Sequence, residues 1–245
     1  MQLAKHKEDW EELATLDPLW AILSDPRKRF NLWDTTAFFR TGEQQVEELV
    51  AQAKLFGVPR QWTRSLDFGC GVGRVTRALH AYFPESHGVD ISTEMIGKAR
   101  QVAPQCFFHE HTKTNLSLFV DSDFDLICSF NVLQHQPNRA VVFAYIAEFL
   151  RVLRPGGLLA FQLPCYIPPR NRVQGGRRLY ALLRGIGLSS DFLYRRLKLT
   201  PIRMLAVREE DVVASIRACG AKVLRVRSDN SPGDHVQSRT YYASR

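Results

Sequence analysis

The chain has 245 residues, 45% of them hydrophobic, enough for one sizeable α/β core with an elaboration, because single cores stop growing near ~250–300 residues. Its formal charge of +8, from 33 basic and 25 acidic residues, suits an anionic contact, whether nucleic acid, an anionic lipid surface or an acidic small molecule, and carries no information on fold. No run approaches the ~20 apolar residues of a membrane span, so an integral membrane protein is excluded. The first nine residues lack the apolar stretch of a signal peptide, and the five cysteines (Cys70, Cys106, Cys128, Cys165, Cys219) form no Cys-x-x-Cys pair, so a reducing, cytoplasmic location is expected.

From the N-terminus, Trp10, Leu13, Leu16, Leu19, Trp20 and Leu23 recur every three or four residues, which predicts an amphipathic helix over 8–23 interrupted at Asp17-Pro18. The helical pattern returns over 42–56 through Val46, Leu49, Val50 and Ala53, and Gly57-Val58-Pro59 stops it. These are read as N-terminal lid helices. Short β-rich runs then alternate with helical patterns: strands at 65–68, 87–89, 106–108, 124–130 and 158–163, helices at 75–82, 93–102 and 140–153. Strands separated by helices mean a parallel, doubly wound sheet. The tail breaks the rhythm with a helix at 209–219 and strands at 222–226 and 237–243, separated by Ser231-Pro232-Gly233. Two strands joined without a helix imply an antiparallel edge hairpin.

Between Pro164 and Arg203 lies a segment that fits no core element, rich in arginine (Arg170, Arg172, Arg177, Arg178, Arg184, Arg195, Arg196, Arg203) and interleaved with Tyr166, Tyr180, Phe192 and Tyr194. It is read as a partly helical cap inserted after the fifth strand. The expected organisation is therefore a lid over 1–60, a core over 61–164 and 204–245, and a basic cap over 165–203 that binds the acceptor.

The first strand runs into Asp67-Phe68-Gly69-Cys70-Gly71-Val72-Gly73. Glycines between a strand and a helix let backbone N–H groups approach a ligand where a Cβ would collide. A dinucleotide site reads G-x-G-x-x-G and receives a pyrophosphate. Here the third glycine comes one position early, and Asp67 would repel a diphosphate but attract the ammonium of a methionine moiety. Asp90, 17 residues after Gly73, falls at the carboxyl end of the second strand, where open sheets bind ligands. A carboxylate there suits two ribose hydroxyls. The other role open to Asp90, capping the helix that follows, falls more naturally to Ser92.

Taken with Gly88–Ser92 in order, residues 123–135 and Leu153-Arg154-Pro155-Gly156-Gly157-Leu158, the glycine turn resembles the motif series of the class I, Rossmann-like S-adenosylmethionine-dependent methyltransferases, over about residues 60–165. The resemblance implies an α/β fold with a mostly parallel seven-stranded sheet of order 3-2-1-4-5-7-6 and an antiparallel last strand, and S-adenosyl-L-methionine as cofactor, with S-adenosyl-L-homocysteine as product. It implies that Gly69, Gly71 and Gly73 face the methionyl part, that Asp67 supports its ammonium, that Asp90 holds the ribose, and that Ile91 and Met95 wall the adenine. Asn131 and Val132 match the position beneath the cofactor. Where the family places an acid near the adenine amino group, this chain has His111-Thr112-Lys113, and Thr112 is the candidate contact. Arg40 could fork onto the methionine carboxylate; its alternative is an ordinary surface arginine.

In-line methyl transfer needs alignment, and a base only where the acceptor must lose a proton. His135 stands at the pocket mouth in this family and titrates in a suitable range, so it is the candidate general base; the alternative is a structural histidine tying its loop to the next helix. His109, His111 and His235 are less well placed. The run Ser129-Phe130-Asn131-Val132 lacks the Pro-Pro-aromatic signature of amino-directed nucleic-acid enzymes, and no cluster has metal-ligand spacing. The expected activity is methyl transfer to an oxygen or nitrogen of a small-molecule acceptor, such as a sugar or secondary metabolite, with the cap's charge suiting an anionic one. An RNA methyltransferase using the basic cap and a non-catalytic cofactor-binding regulator remain open.

Overall fold

A computed structural model describes residues 2–229 and 236–245; the expected Ser231-Pro232-Gly233 turn and His235 lie outside the described residues. The strands are β1 (Arg64–Phe68), β2 (Glu85–Asp90), β3 (Phe107–Glu110), β4 (Phe124–Ser129), β5 (Leu153–Tyr166), β6 (Lys222–Asp229) and β7 (Gln237–Ser244). They form one seven-stranded sheet of order β3-β2-β1-β4-β5-β7-β6. The first five are mutually parallel, while β7 pairs antiparallel with both β5 and β6, the order and sense that the motif series implies.

The sheet is covered on both faces, which is why β4 is buried at every position rather than alternating. Helices α6 (Arg139–Val152) and α10 (Glu209–Ala218) pack Phe149, Ile146, Val212 and Ile216 on one face with Phe68, Phe161 and Tyr241. On the other, α3 (Thr35–Phe56) and α4 (Arg74–Leu79) bring Val46, Leu49, Val50, Ala53 and Leu79 against Leu126, Cys128, Ala160 and Tyr242. Helix α5 (Thr93–Val102) seats Ile96 and Ala99 beside Cys70 and Phe108.

The lid differs from expectation in detail. The first helical stretch begins six residues earlier than expected and breaks at Asp17-Pro18 as expected, into α1 (Gln2–Leu16) and α2 (Pro18–Ile22), with Asp17 capping the second by accepting from the Trp20 N–H. Helix α3 starts at Thr35, where Asp34 accepts from the Ala37 N–H at 2.8 Å, seven residues before the expected start. Gly42 is not its boundary: a Cβ there would lie 2.4 Å from the Arg74 carbonyl oxygen, so this glycine lets α3 rest directly on α4. Between β5 and α10 the chain forms α7 (Pro169–Arg172), α8 (Gly175–Gly185) and α9 (Ser190–Arg195). Buried Asp17 joins this segment to the lid, accepting from the Tyr194 hydroxyl at 2.6 Å and the Asn31 N–H at 2.9 Å. Among the described residues no helix is long and apolar enough to cross a membrane.

Candidate active site

The turn after β1 takes left-handed backbone at each of its three glycines, φ 79° at Gly69, 52° at Gly71 and 81° at Gly73, a region costly for side-chain-bearing residues. Space is as limiting as conformation. A Cβ on Gly69 would stand 2.2 Å from Val132 Cγ2, and one on Gly71 would stand 2.5 Å from Ile22 Cδ1. The amides of Gly69 and Cys70 donate to the Val89 carbonyl, which fastens the turn to the end of β2.

Over this turn opens a cavity, about 690 Å³ with its mouth, that brings together Gly69, Gly71, Asp90, Ile91, Met95, Asn131 and Val132. Asp90 accepts from the Gly71 N–H at 2.8 Å and the Ser92 N–H at 2.9 Å, so the acid and the glycine turn form one rigid unit. Burial raises its pKa, against the pull of those two amides. Capping of α5 falls to Ser92, which accepts from the Met95 N–H at 3.1 Å.

Two expected residues sit behind the cavity wall rather than on it. Asp67 is 3% exposed, accepts from the Thr76 hydroxyl at 2.7 Å, and is pushed up to about 6 by burial; its place is under the turn. Gly73 begins α4 and is covered by Phe108. Two more lie away from the cavity. Arg40 is exposed on α3, and the neighbouring buried arginine, Arg74, is committed to Gln45 at 2.7 Å and Thr41 at 3.2 Å. Thr112 is exposed, and its neighbour His111 occupies the wall instead.

His135 is the main departure. It is 8% exposed; its Nε2 accepts from the Gln134 side-chain amide at 3.2 Å, and its Nδ1 donates to the Arg203 carbonyl at 2.6 Å. Burial lowers its pKa to about 4. Both ring nitrogens are engaged by protein partners, as in an orienting histidine, while the ring also borders a second cavity that Asn131 lines too. Gln162 of β5 links it to the cavity floor: its side-chain oxygen accepts from the Asn131 N–H at 3.2 Å, and its amide donates to Gln134 Oε1 at 3.3 Å. Asn131 itself holds φ 61°, a left-handed conformation stabilised by this network.

The lid supplies walls that the sequence pattern could not assign. Trp10 and Ile22 close the cavity from above, because α1 is latched to the α5 N-terminus. There Glu11 accepts from the Thr93 N–H and the Ser92 hydroxyl, each at 2.7 Å, and Lys7 donates to Glu110 at 2.7 Å and to the Ile91 carbonyl at 3.2 Å. Although partial burial opposes it, these donors hold the Glu11 carboxyl at about 2, and a carboxylate there also faces the positive end of α5.

A second cavity, about 1290 Å³ with its mouth, lies between lid and cap and shares Ala21, Ile22 and Asn131 with the first. Its walls are Trp20, Trp33, Leu23, Ile202 and Met204 together with Gln134, His135, Gln174, Ser24 and Thr200, and among the described residues Asp25 is its carboxylate. None of the cap arginines lines it. Arg184 pairs with Glu12 of α1 and Arg195 with Asp191, while Arg203 turns back onto the Pro137 carbonyl at 3.0 Å. Among the described residues no group of three or more His, Cys, Asp or Glu could hold a metal ion.

A doubly wound sheet of this order, a triple-glycine turn after β1 and an acid at the end of β2 bonded to that turn define an S-adenosylmethionine-dependent methyltransferase domain of the Rossmann-like class. Residues 66–161 match the family model described as a methyltransferase domain, and the cofactor of this class is S-adenosyl-L-methionine. The chain is similar to a trans-aconitate 2-methyltransferase of Azoarcus sp. (strain BH72), 34% identical over 146 residues, which is 58% of this chain and 54% of that one. It is also similar to a protein of the same name from Escherichia coli O139:H28, 35% identical over 100 residues covering 40% of this chain and 38% of that one. The first of these matches spans about half of the relative's length. Among solved structures, magnesium protoporphyrin IX methyltransferase from Synechocystis PCC 6803, with bound S-adenosylhomocysteine, superposes with a TM-score of 0.66 at 19% identity over 100% of both chains. A methyltransferase from Methanosarcina mazei gives 0.58 at 22% identity over 76% of this chain and 93% of that one. At these identities the likeness is one of fold.

Proposed function

We propose that this chain transfers the methyl group of S-adenosyl-L-methionine to an oxygen or nitrogen of a small molecule seated between lid and cap. The observation that carries the reading is the shared wall: the cavity over the glycine turn and the cavity between lid and cap meet at Ala21, Ile22 and Asn131. A methyl donor in one and an acceptor in the other would face each other there, which is what an in-line displacement needs.

The residues present fit the cofactor. Gly69 and Gly71 bring bare backbone to the cavity wall, the Asp90 carboxylate sits on that wall with lone pairs left for hydroxyls, and Ile91 and Met95 offer apolar surface for a base ring. When bound, the cofactor supplies an electrophilic methyl on a sulfonium. The chain's own part is to grip the nucleoside through Asp90, to exclude water with Trp10 and Ile22, and to aim the acceptor with the Asn131 loop. In this reading His135 positions that loop through Gln134, and its proton stays on Nδ1.

The lining of the second cavity supports an acceptor with apolar or aromatic surface and few charges. Trans-aconitate, the acceptor in the relatives' names, carries three carboxylates, and no arginine or lysine lines the cavity to receive them.

Isothermal titration with S-adenosylhomocysteine, followed by incubation with methyl-labelled cofactor and a fractionated cell extract, tests the proposal. The expected result is binding that Asp90→Ala weakens, with label in a small-molecule fraction. Label in RNA would favour the nucleic-acid reading. Tight binding with no transfer to any fraction would favour a regulator.

A further inference from the structure

Among the described residues, seven of the fourteen large apolar side chains that stand exposed fall within residues 166–197, including Val173 at 52%, Leu182 at 64% and Ile186 at 68%. Helix α8 concentrates them. Leu179 and Leu182 on the helix and Ile186 at its C-cap follow one another at three and four residues, and at 100° per residue they continue a single stripe. That stripe is turned away from the body, because the other side of α8 is fastened: Tyr180 is buried and donates to Glu12, and Arg184 pairs with the same carboxylate. A fixed helix that presents an aliphatic stripe to solvent is an unfinished surface.

The segment that carries it is strongly cationic. Between Pro164 and Arg203 there are eight arginines and Lys198 against one acid, Asp191; that acid is taken by Arg195, and of the arginines Arg184 and Arg203 turn inward, onto Glu12 and the Pro137 carbonyl. Arg170, Arg178 and Arg196 are exposed, and none has a carboxylate partner among the described residues.

The geometry points to this face as a docking surface for an anionic phospholipid bilayer, with the aliphatic stripe in the acyl–headgroup boundary and the arginines on lipid phosphates. An apolar helical face flanked by basic residues is the pattern of interfacial helices, and clustered Arg and Lys add attraction for an anionic leaflet. A second copy is a poorer occupant, because apposing two such faces brings two arginine rims together. RNA is also poorer, because the centre of the face is aliphatic where single-strand binders use stacking rings. Gln174, which precedes α8, and Thr200, which follows α9, line the cavity between lid and cap, so docking would set that cavity's mouth beside the lipid. The surface stands independently of whether methyl transfer occurs.

Vesicle flotation with the full chain tests it, using phosphatidylcholine alone and phosphatidylcholine mixed with phosphatidylglycerol. The chain should float with the mixed vesicles and not with phosphatidylcholine alone, and binding should weaken as salt rises. Leu182→Glu with Ile186→Glu should bind at least about tenfold more weakly, since each substitution replaces immersed aliphatic surface with charge. Arg178→Glu with Arg196→Glu should lose binding similarly. All these positions are exposed, so each variant should melt and bind S-adenosylhomocysteine like the parent. Failure of the parent to float with phosphatidylglycerol at low salt would overturn the inference, as would undiminished flotation of the Leu182→Glu, Ile186→Glu variant. A parent dimer in sedimentation velocity that this variant dissociates, with no flotation, would assign the face to self-association instead.

Discussion

The imidazole of His135 and the backbone carbonyl of Arg203 are joined by a 2.6 Å hydrogen bond, and this bond sets which nitrogen carries the proton. With Nδ1 donating, Nε2 is left to accept from Gln134, so the ring works as a strut between the loop after β4 and the chain returning from the cap. His135→Phe should leave the Arg203 carbonyl without its donor, costing about 1–3 kcal/mol of stability, and should raise the acceptor KM more than it lowers kcat. His135→Asn, which can supply one donor, should recover part of both. A kcat profile that loses an ionisation near the ordinary histidine range in either variant would return His135 to the role of base.

Acid sensitivity follows from the same burial. The folded pKa of about 4 lies below the ordinary 6.5, so the unfolded state binds more protons between those values, and stability from this residue is complete above about pH 6.5 and lost as pH falls toward 4. Asp67, raised to about 6, has the opposite slope and is common to parent and variant. Denaturant melts across this range should therefore show a shallower loss of stability in His135→Gln than in the parent. Parallel curves would contradict the buried, neutral ring.

Asp90→Ala should weaken S-adenosylhomocysteine binding by about ten- to a hundredfold, the scale of losing one or two hydrogen bonds to a charged group. Part of the loss should come through the turn, since the Gly71 amide loses its 2.8 Å acceptor. Titration calorimetry reads it directly.

Gly69→Ala should reduce cofactor-product affinity at least about tenfold, from left-handed strain together with the collision at Val132. Adding Val132→Ala should restore part of the affinity, because it removes the steric share and leaves the conformational one. No rescue would mean that backbone strain alone accounts for the effect.

Glu11→Ala should speed the release of S-adenosylhomocysteine by about tenfold in stopped-flow, because it removes three acceptor contacts between α1 and the α5 N-terminus. The parent latch should hold well into acid, since its carboxyl loses charge only near pH 2.

The core of this chain is written locally, and the site only partly so. Strand and helix patterns, the glycine turn and Asp90 can be read in one dimension because each depends on neighbours within a few residues. Gly42 misleads for the reason that makes it useful: a glycine inside a helix looks like a boundary until the helix it touches is known. Ile22 and Trp10 look like core residues of a surface helix, and only the packing of α1 and α2 over the cavity makes them its roof. Arg40 and Thr112 had suitable chemistry, but helix phase and loop direction leave both exposed. For His135 the deciding partner lies 68 residues away, beyond any local signal.

The position of β7 bears on how the protein must be made. It lies inside the sheet, between β5 and β6, yet it comes late in the chain. A nascent chain can complete the parallel half of the sheet well before residue 237 leaves the ribosome, but until then β5 presents an unpaired, largely apolar edge. Such edges recruit other strands, so the interval before β7 emerges is the stage of biosynthesis at which a chaperone would matter most.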